Sequence, residues 1–165
     1  MHRQTSKPLS GTEQISICDQ SFPSVRKIKT VEQAGYKIEE NKPLCLVSNN
    51  YVGFLNKRKK VLIICTNNAK KKEGYTILRK RNKDAFERTA LHIKKALRHE
   101  AVHVAQECNN GKLLKIDRKL SMNPSKINAF NGSIRISREE EKERQAYILE
   151  DKPRLVKNEL IKYCL

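Results

Sequence analysis

Arg98-His99-Glu100-Ala101-Val102-His103-Val104-Ala105-Gln106 sets two imidazoles four residues apart, with a carboxylate directly after the first. Around this stretch, residues 84–108 contain neither glycine nor proline and carry Ala90, Ile93, Leu97, Ala101 and Val104 at intervals of three or four. The periodicity predicts one amphipathic helix over 84–108, with Asp84 as N-cap, Glu87 three residues on in a capping-box arrangement, and Asn109-Asn110-Gly111 closing it. On such a helix residues i and i+4 stack on one face, so His99 and His103 can both reach a single metal ion. Glu100 points about a quarter-turn away, where it can take a proton from a metal-bound water without binding the metal. The same spacing also suits a plain polar helix face, the competing account of these residues taken alone. His92, seven residues before His99, reads as a residue of the cleft wall or of the solvated face. Gln106 reads as a solvated helix residue or as a partner for a ligand imidazole.

His99-Glu100-Ala101-Val102-His103 is the His-Glu-x-x-His signature, and residues 84–150 resemble the zincin metallopeptidases. The resemblance implies Zn2+ held by His99 and His103, with Glu100 as general base. The subclass with a third histidine has Gly three and His six residues beyond the second motif histidine. Here those positions are Gln106 and Asn109, so the third ligand has to come from elsewhere. In zincins that use a glutamate, this ligand sits on a downstream helix in the form Glu-x-x-Ala, which Glu143-Arg144-Gln145-Ala146 is similar to. A small residue one turn away lets the two helices approach until a carboxylate reaches a metal at about 2 Å. Glu139, Tyr147 and Glu150 lie on the same stripe as competitors or neighbours. The implied fold is α+β: a small antiparallel sheet packed on the motif-bearing helix, with two further C-terminal helices. The implied partner is a peptide or protein substrate.

Upstream of the motif the signals turn to strand. Leu44-Cys45-Leu46-Val47, Tyr51-Val52-Gly53-Phe54-Leu55 and Val61-Leu62-Ile63-Ile64-Cys65 are short apolar runs, with Ser48-Asn49-Asn50 and Asn67-Asn68 as turn chemistry. They predict a sheet within residues 43–78. Residues 1–42 read as an irregular N-terminal arm, with Ile15 to Cys18 and Val25 to Ile28 as candidate short strands. Downstream, Asn123-Pro124 and Asn131-Gly132 are turn signals, and residues 112–136 read as a loop-rich connection over the site. Ser137 with Glu140 reads as the start of the third-ligand helix over 137–150, whose early glutamates suit the helix dipole. Pro153 opens a C-terminal helix over 153–164, with Leu155, Val156, Leu160 and Ile161 as its apolar stripe. Residues 43–165 thus read as a single zincin-like domain.

The chain of 165 residues carries 35 Lys and Arg against 18 Asp and Glu, a net charge of +17. Eleven basic residues fall between Lys57 and Lys83, against the single acid Glu73. Such runs can neutralise phosphates, which gives an alternative reading as a nucleic-acid-associated protein. They equally suit solvated turns that guard a hydrophobic strand against aggregation, and only Tyr75 is interleaved where a nucleic-acid surface would need several aromatic residues. A third class, a zincin-like fold without catalysis acting as a binding or regulatory module, has no reason to retain Glu100. The five cysteines, Cys18, Cys45, Cys65, Cys108 and Cys164, are odd in number and form no Cys-x-x-Cys pair, which suggests neither a disulfide framework nor a thiolate metal site. Residues 1–10 hold Arg3 and Lys7 without an apolar run, and no stretch approaches the roughly 18 apolar residues of a membrane helix. The expected setting is cytoplasmic. Nothing in the sequence fixes an oligomeric state.

Overall fold

A computed structural model describes residues 25–74, 83–117 and 119–165. In order, its elements are α1 (Val25–Gln33), β1 (Lys37–Glu40), a 3-10 turn (Pro43–Leu46), β2 (Gly53–Asn56), β3 (Val61–Ile64), α2 (Thr66–Lys72) and α3 (Lys83–Cys108). A second 3-10 turn (Pro124–Lys126), α4 (Ile127–Ser137), α5 (Glu140–Leu149) and α6 (Pro153–Cys164) complete the chain. The fold is α+β, as expected.

The middle of α3 is buried all round, because two layers compete for its surface. Leu97, Ala101, Val104 and Ala105 join one core with Leu62 and Ile64 of β3, Ala146 and Leu149 of α5, and Val156 and Leu160 of α6. Alternation along β3 sends Leu62 and Ile64 into that core and Ile63, with Cys65 after it, to a smaller cluster on the other face of the sheet. The small residues Ala101, Ala105 and Ala146 leave room for the helices to approach. Asn110 and Gly111, both at positive φ (55° and 71°), turn the chain away after α3, and the Gly111 amide donates to the Gln106 carbonyl.

Five expectations need correction. The sheet is three-stranded in the order β1-β3-β2 and mixed rather than antiparallel: β1 runs parallel to β3 with Lys37 opposite Val61, and β2 runs antiparallel with Gly53 opposite Ile64. It therefore reaches upstream of residue 43. Val25 to Ile28 open a helix, not a strand, while Ile15 to Cys18 lie outside the described residues. Leu44 to Val47 turn as a 3-10 helix, because Pro43 begins it and Asn68 Nδ2 ties the Cys45, Ser48 and Tyr51 carbonyls to α2. Residues 127–137, read as loop, are helix α4, with Phe130 buried against Tyr147. Ser137 ends α4 instead of starting α5, and its hydroxyl accepts from the Glu139 amide.

The cysteines also depart from expectation. Cys45 is bonded to Cys65 and Cys108 to Cys164, at Cα separations of 5.5 and 5.2 Å. These partners lie 20 and 56 residues apart, which no short motif encodes. Among the described residues no helix is long and apolar enough to cross a membrane.

Candidate metal centre

His99 and His103 project from α3 toward Glu143 in the first turn of α5, and all three are buried. Their Nε2 atoms stand 3.3 Å apart. Glu143 Oε2 lies 3.2 Å from His99 Nε2, and Glu143 Oε1 lies 3.6 Å from His103 Nε2. Four-coordinate geometry with bonds of about 2.0–2.1 Å separates neighbouring donor atoms by about 3.3 Å. The three side chains are thus spaced as three donors around one ion, and among the described residues they form the group that could hold one.

What aims the imidazoles is a set of hydrogen bonds behind them. Leu114 fixes Gln145, whose Oε1 accepts from the Leu114 amide and whose Nε2 donates to the Leu114 carbonyl. Gln106 Nε2 then donates to Gln145 Oε1 and to the Lys142 carbonyl, which leaves Gln106 Oε1 to accept from His103 Nδ1 at 2.8 Å. With Nδ1 engaged by Gln106, His103 turns its Nε2 toward the cluster. His99 Nδ1 donates in the same way to Glu150 Oε2 at 3.0 Å. Glu150 Oε1 is held by Lys126 Nζ at 2.6 Å, and Lys126 also pairs with Asp151 and donates to the Tyr147 carbonyl. Arg98 Nε donates to the Glu150 carbonyl. The ring of Tyr147 lies edge-on to His99, and its hydroxyl pairs with Ser133.

Charge and burial set the protonation states. Burial alone would lower His99, but its hydrogen bonds to Glu143 and Glu150 overcome this and raise its pKa to about 10 in the metal-free protein. Burial would raise Glu143, yet the hydrogen bonds from His103 and His99 hold it far below the usual carboxylate range. Glu100 moves the other way. Burial pushes its pKa up, against the pull of His99 and His103, and the charges of Glu143 and Glu150 add to the rise.

Two cavities of about 420 and 450 Å3 open on either side of the cluster and share Tyr51, Gly53, His99, Glu100 and Ser133 in their walls. Glu100 therefore contributes to the walls of both cavities while its carboxylate rests against Gly53 of β2. Of the competitors for the third position, Glu139 is engaged by Lys57 and Lys142, and Glu150 serves His99 at Nδ1. Gln106, 1% exposed, is the partner of His103 and not a solvated residue. His92 pairs with Glu73 in the wall of the first cavity. Sequence reasoning missed Lys126, which reaches the site from a separate turn and carries no local signal. Lys57 of the basic stretch is occupied with Glu107 and Glu139, Arg58 to Lys60 are exposed at the β2–β3 turn, and Arg79 to Arg81 lie outside the described residues.

Fold and site together define an α+β protein with a buried His-His-Glu group able to hold one metal ion. Residues 15–165 match the family described as Domain of unknown function (DUF8637), and the chain belongs to that family. No curated protein and no solved structure matches it.

Proposed function

We propose that the chain is a zinc-dependent peptidase, with His99, His103 and Glu143 as metal ligands and Glu100 as general base. The observation that carries this reading is the donor spacing of 3.2 to 3.6 Å among the three side chains, beside a Glu100 that faces both cavities. Zinc bound there would bring the pKa of a coordinated water toward about 7 and polarise a carbonyl. Glu100, its pKa raised by burial, takes the proton from the attacking water and passes it to the leaving amine. Glu150 and Gln106 keep the proton of each imidazole on Nδ1, so that the ligand atoms stay available. Strand β2 is an edge of the sheet, and Gly53, Phe54 and Leu55 line the second cavity. An extended peptide laid along that edge gains main-chain hydrogen bonds and brings a scissile bond past Glu100.

The test compares wild type with Glu100→Gln and His103→Ala, reading zinc by elemental analysis and cleavage by mass spectrometry of an unfolded protein substrate. The expected result is near-stoichiometric zinc in wild type and Glu100→Gln, loss of zinc in His103→Ala, and cleavage by wild type alone. A wild type that takes up no zinc on reconstitution overturns the reading, as does Glu100→Gln cleaving at the wild-type rate. Zinc binding with no cleavage of any peptide substrate would transfer the site to the binding-module reading.

A further inference from the structure

Leu44, Leu46 and Val47 stand at the surface within four residues of one another, and Leu46 and Val47 are 86% and 75% exposed. Their backbone is tied down from below. Cys45, between the leucines, is buried and bonded to Cys65, and Asn68 Nδ2 donates to three carbonyls of residues 45–51. At the near end, Asn41 Nδ2 donates to Thr66 Oγ1 while Asn41 Oδ1 accepts from the Asn67 amide. Exposed aliphatic side chains on a fastened loop contribute nothing to the core beneath them, and clustered exposure of this kind marks a contact surface.

The charges beside the loop say what kind of contact. Helix α2, to which the loop is fastened, contains no acidic residue and ends in Lys70, Lys71 and Lys72. Lys71 Nζ donates to Asn49 Oδ1 at 3.3 Å, which brings an ammonium group alongside the loop. Lys42 stands on the other flank, paired with Glu39. The tip is aliphatic and its border cationic, on a chain of net charge +17. Nucleic acid would satisfy the lysines and leave Leu46 and Val47 without a partner, since bases stack on aromatic rings and not on aliphatic tips. An anionic lipid surface satisfies both, with the aliphatic tip entering the headgroup boundary and the lysines meeting the phosphates.

We propose that the loop of residues 43–51, with Lys70, Lys71 and Lys72 beside it, docks this protein on an anionic membrane surface. Asn50 and Tyr51, the next residues along, line the first cavity beside His99 and Glu100. Docking therefore brings the mouth of that cavity to the bilayer and favours ligands held at the membrane. The inference does not depend on zinc or on cleavage, and its readout is vesicle binding alone.

The experiment is co-sedimentation of the full chain with phosphatidylcholine vesicles and with mixed phosphatidylcholine–phosphatidylserine vesicles, for wild type, Leu46→Ser/Val47→Ser and Lys71→Gln/Lys72→Gln. Near-ultraviolet circular dichroism checks that the variants, all at exposed positions, keep the fold. Wild type is expected to sediment with phosphatidylserine vesicles only, and each double variant to bind at least about tenfold more weakly. Wild type remaining in the supernatant overturns the proposal. So does undiminished binding by the Ser/Ser variant, which would reduce the contact to charge alone. A wild-type dimer that the Ser/Ser variant turns into monomer, with no vesicle binding by either, would overturn it in favour of a second copy of the chain as the occupant.

Discussion

A β-carbon added at Gly53 would lie 2.7 Å from Glu100 Oε1 and 2.8 Å from its Cγ, so the edge strand and the carboxylate meet in van der Waals contact across the cleft. Gly53 does not sit at positive φ, and its glycine is required by this approach instead of by the backbone. The Glu100 side chain is buried and cannot retreat freely. Gly53→Ala is therefore expected to push the carboxylate off its position. A displacement of this size costs on the order of 100-fold in kcat/KM, while the metal ligands supply none of the atoms nearest the added β-carbon and keep their positions. Elemental analysis should give wild-type zinc in the variant. Full peptidase activity in Gly53→Ala would sink the assignment of Glu100 as base.

Lys126 governs the metal site at one remove, through Glu150. Its ammonium holds Glu150 Oε1 at 2.6 Å while the other oxygen of that carboxylate accepts from His99 Nδ1. Lys126→Met removes the cation from Glu150 Oε1 and frees Glu150 to rotate, while Asp151 keeps its pairing with Lys95. Partners placed behind ligand imidazoles are worth about 10- to 100-fold in metal affinity. Competition against a chromophoric chelator should show a loss in that range for Lys126→Met and a smaller one for Lys126→Arg, which keeps the charge. Equal affinities across the three proteins would mean that Lys126 only fastens the 3-10 turn.

Metal and proton compete for His99. Its pKa of about 10 in the metal-free protein means that near neutral pH its Nε2 carries a proton shared with Glu143, and zinc must displace it. Apparent zinc affinity is accordingly expected to rise by about tenfold per pH unit between roughly pH 6 and 9, and calorimetry in buffers of different ionisation enthalpy should report close to one proton released. The sign for stability is opposite. The folded-state value lies above the ordinary 6.5, so the stabilisation that protonated His99 gives the metal-free fold is complete below that pH. It fades as pH rises through about 10. Zinc uptake independent of pH over this interval would remove the imidazolium from the account.

How much of this was legible depends on where each signal is stored. The helices α3 and α6 were, because unbroken three-and-four periodicity without glycine or proline has one reading, and Pro153 marks the start of α6. The grouping of His99, His103 and Glu143 followed from the spacing of the two histidines and the Glu-x-x-Ala pattern. Helix α4 was hidden by Asn131-Gly132, a pair that imitates a turn. A β-carbon at Gly132 would meet nothing within 4 Å, so that glycine answers no steric demand and gave a false stop. Strand β1 has one apolar residue, Ile38, among Lys37, Glu39 and Glu40, and is recruited by pairing with β3. Gln106, three residues beyond His103 on the same face, could be read as the imidazole partner it proves to be, though equally as a solvated residue. Lys126 could not, because its partners lie on another element.

The two disulfides fasten the two parts that carry the site. Cys108–Cys164 joins the end of α3, with its two histidines, to the end of α6, and Cys45–Cys65 joins the loop beside the cleft to the end of β3. With partners 20 and 56 residues apart, chain-entropy estimates give about 3 and about 4 kcal/mol against the unfolded state. For a domain of this size each should be visible as a fall of several degrees in Tm on removal. Cys108→Ser/Cys164→Ser is expected to lose more than Cys45→Ser/Cys65→Ser, and wild type melted with reductant to lose most. The longer bridge also restrains the helix that presents His99 and His103, so its loss should weaken zinc binding even where the protein stays folded. Thiol titration of the denatured, unreduced chain should find at most one reactive cysteine of the five. Five reactive thiols in protein folded under oxidising conditions would exclude both bridges and return the cysteines to the reading their sequence spacing suggests.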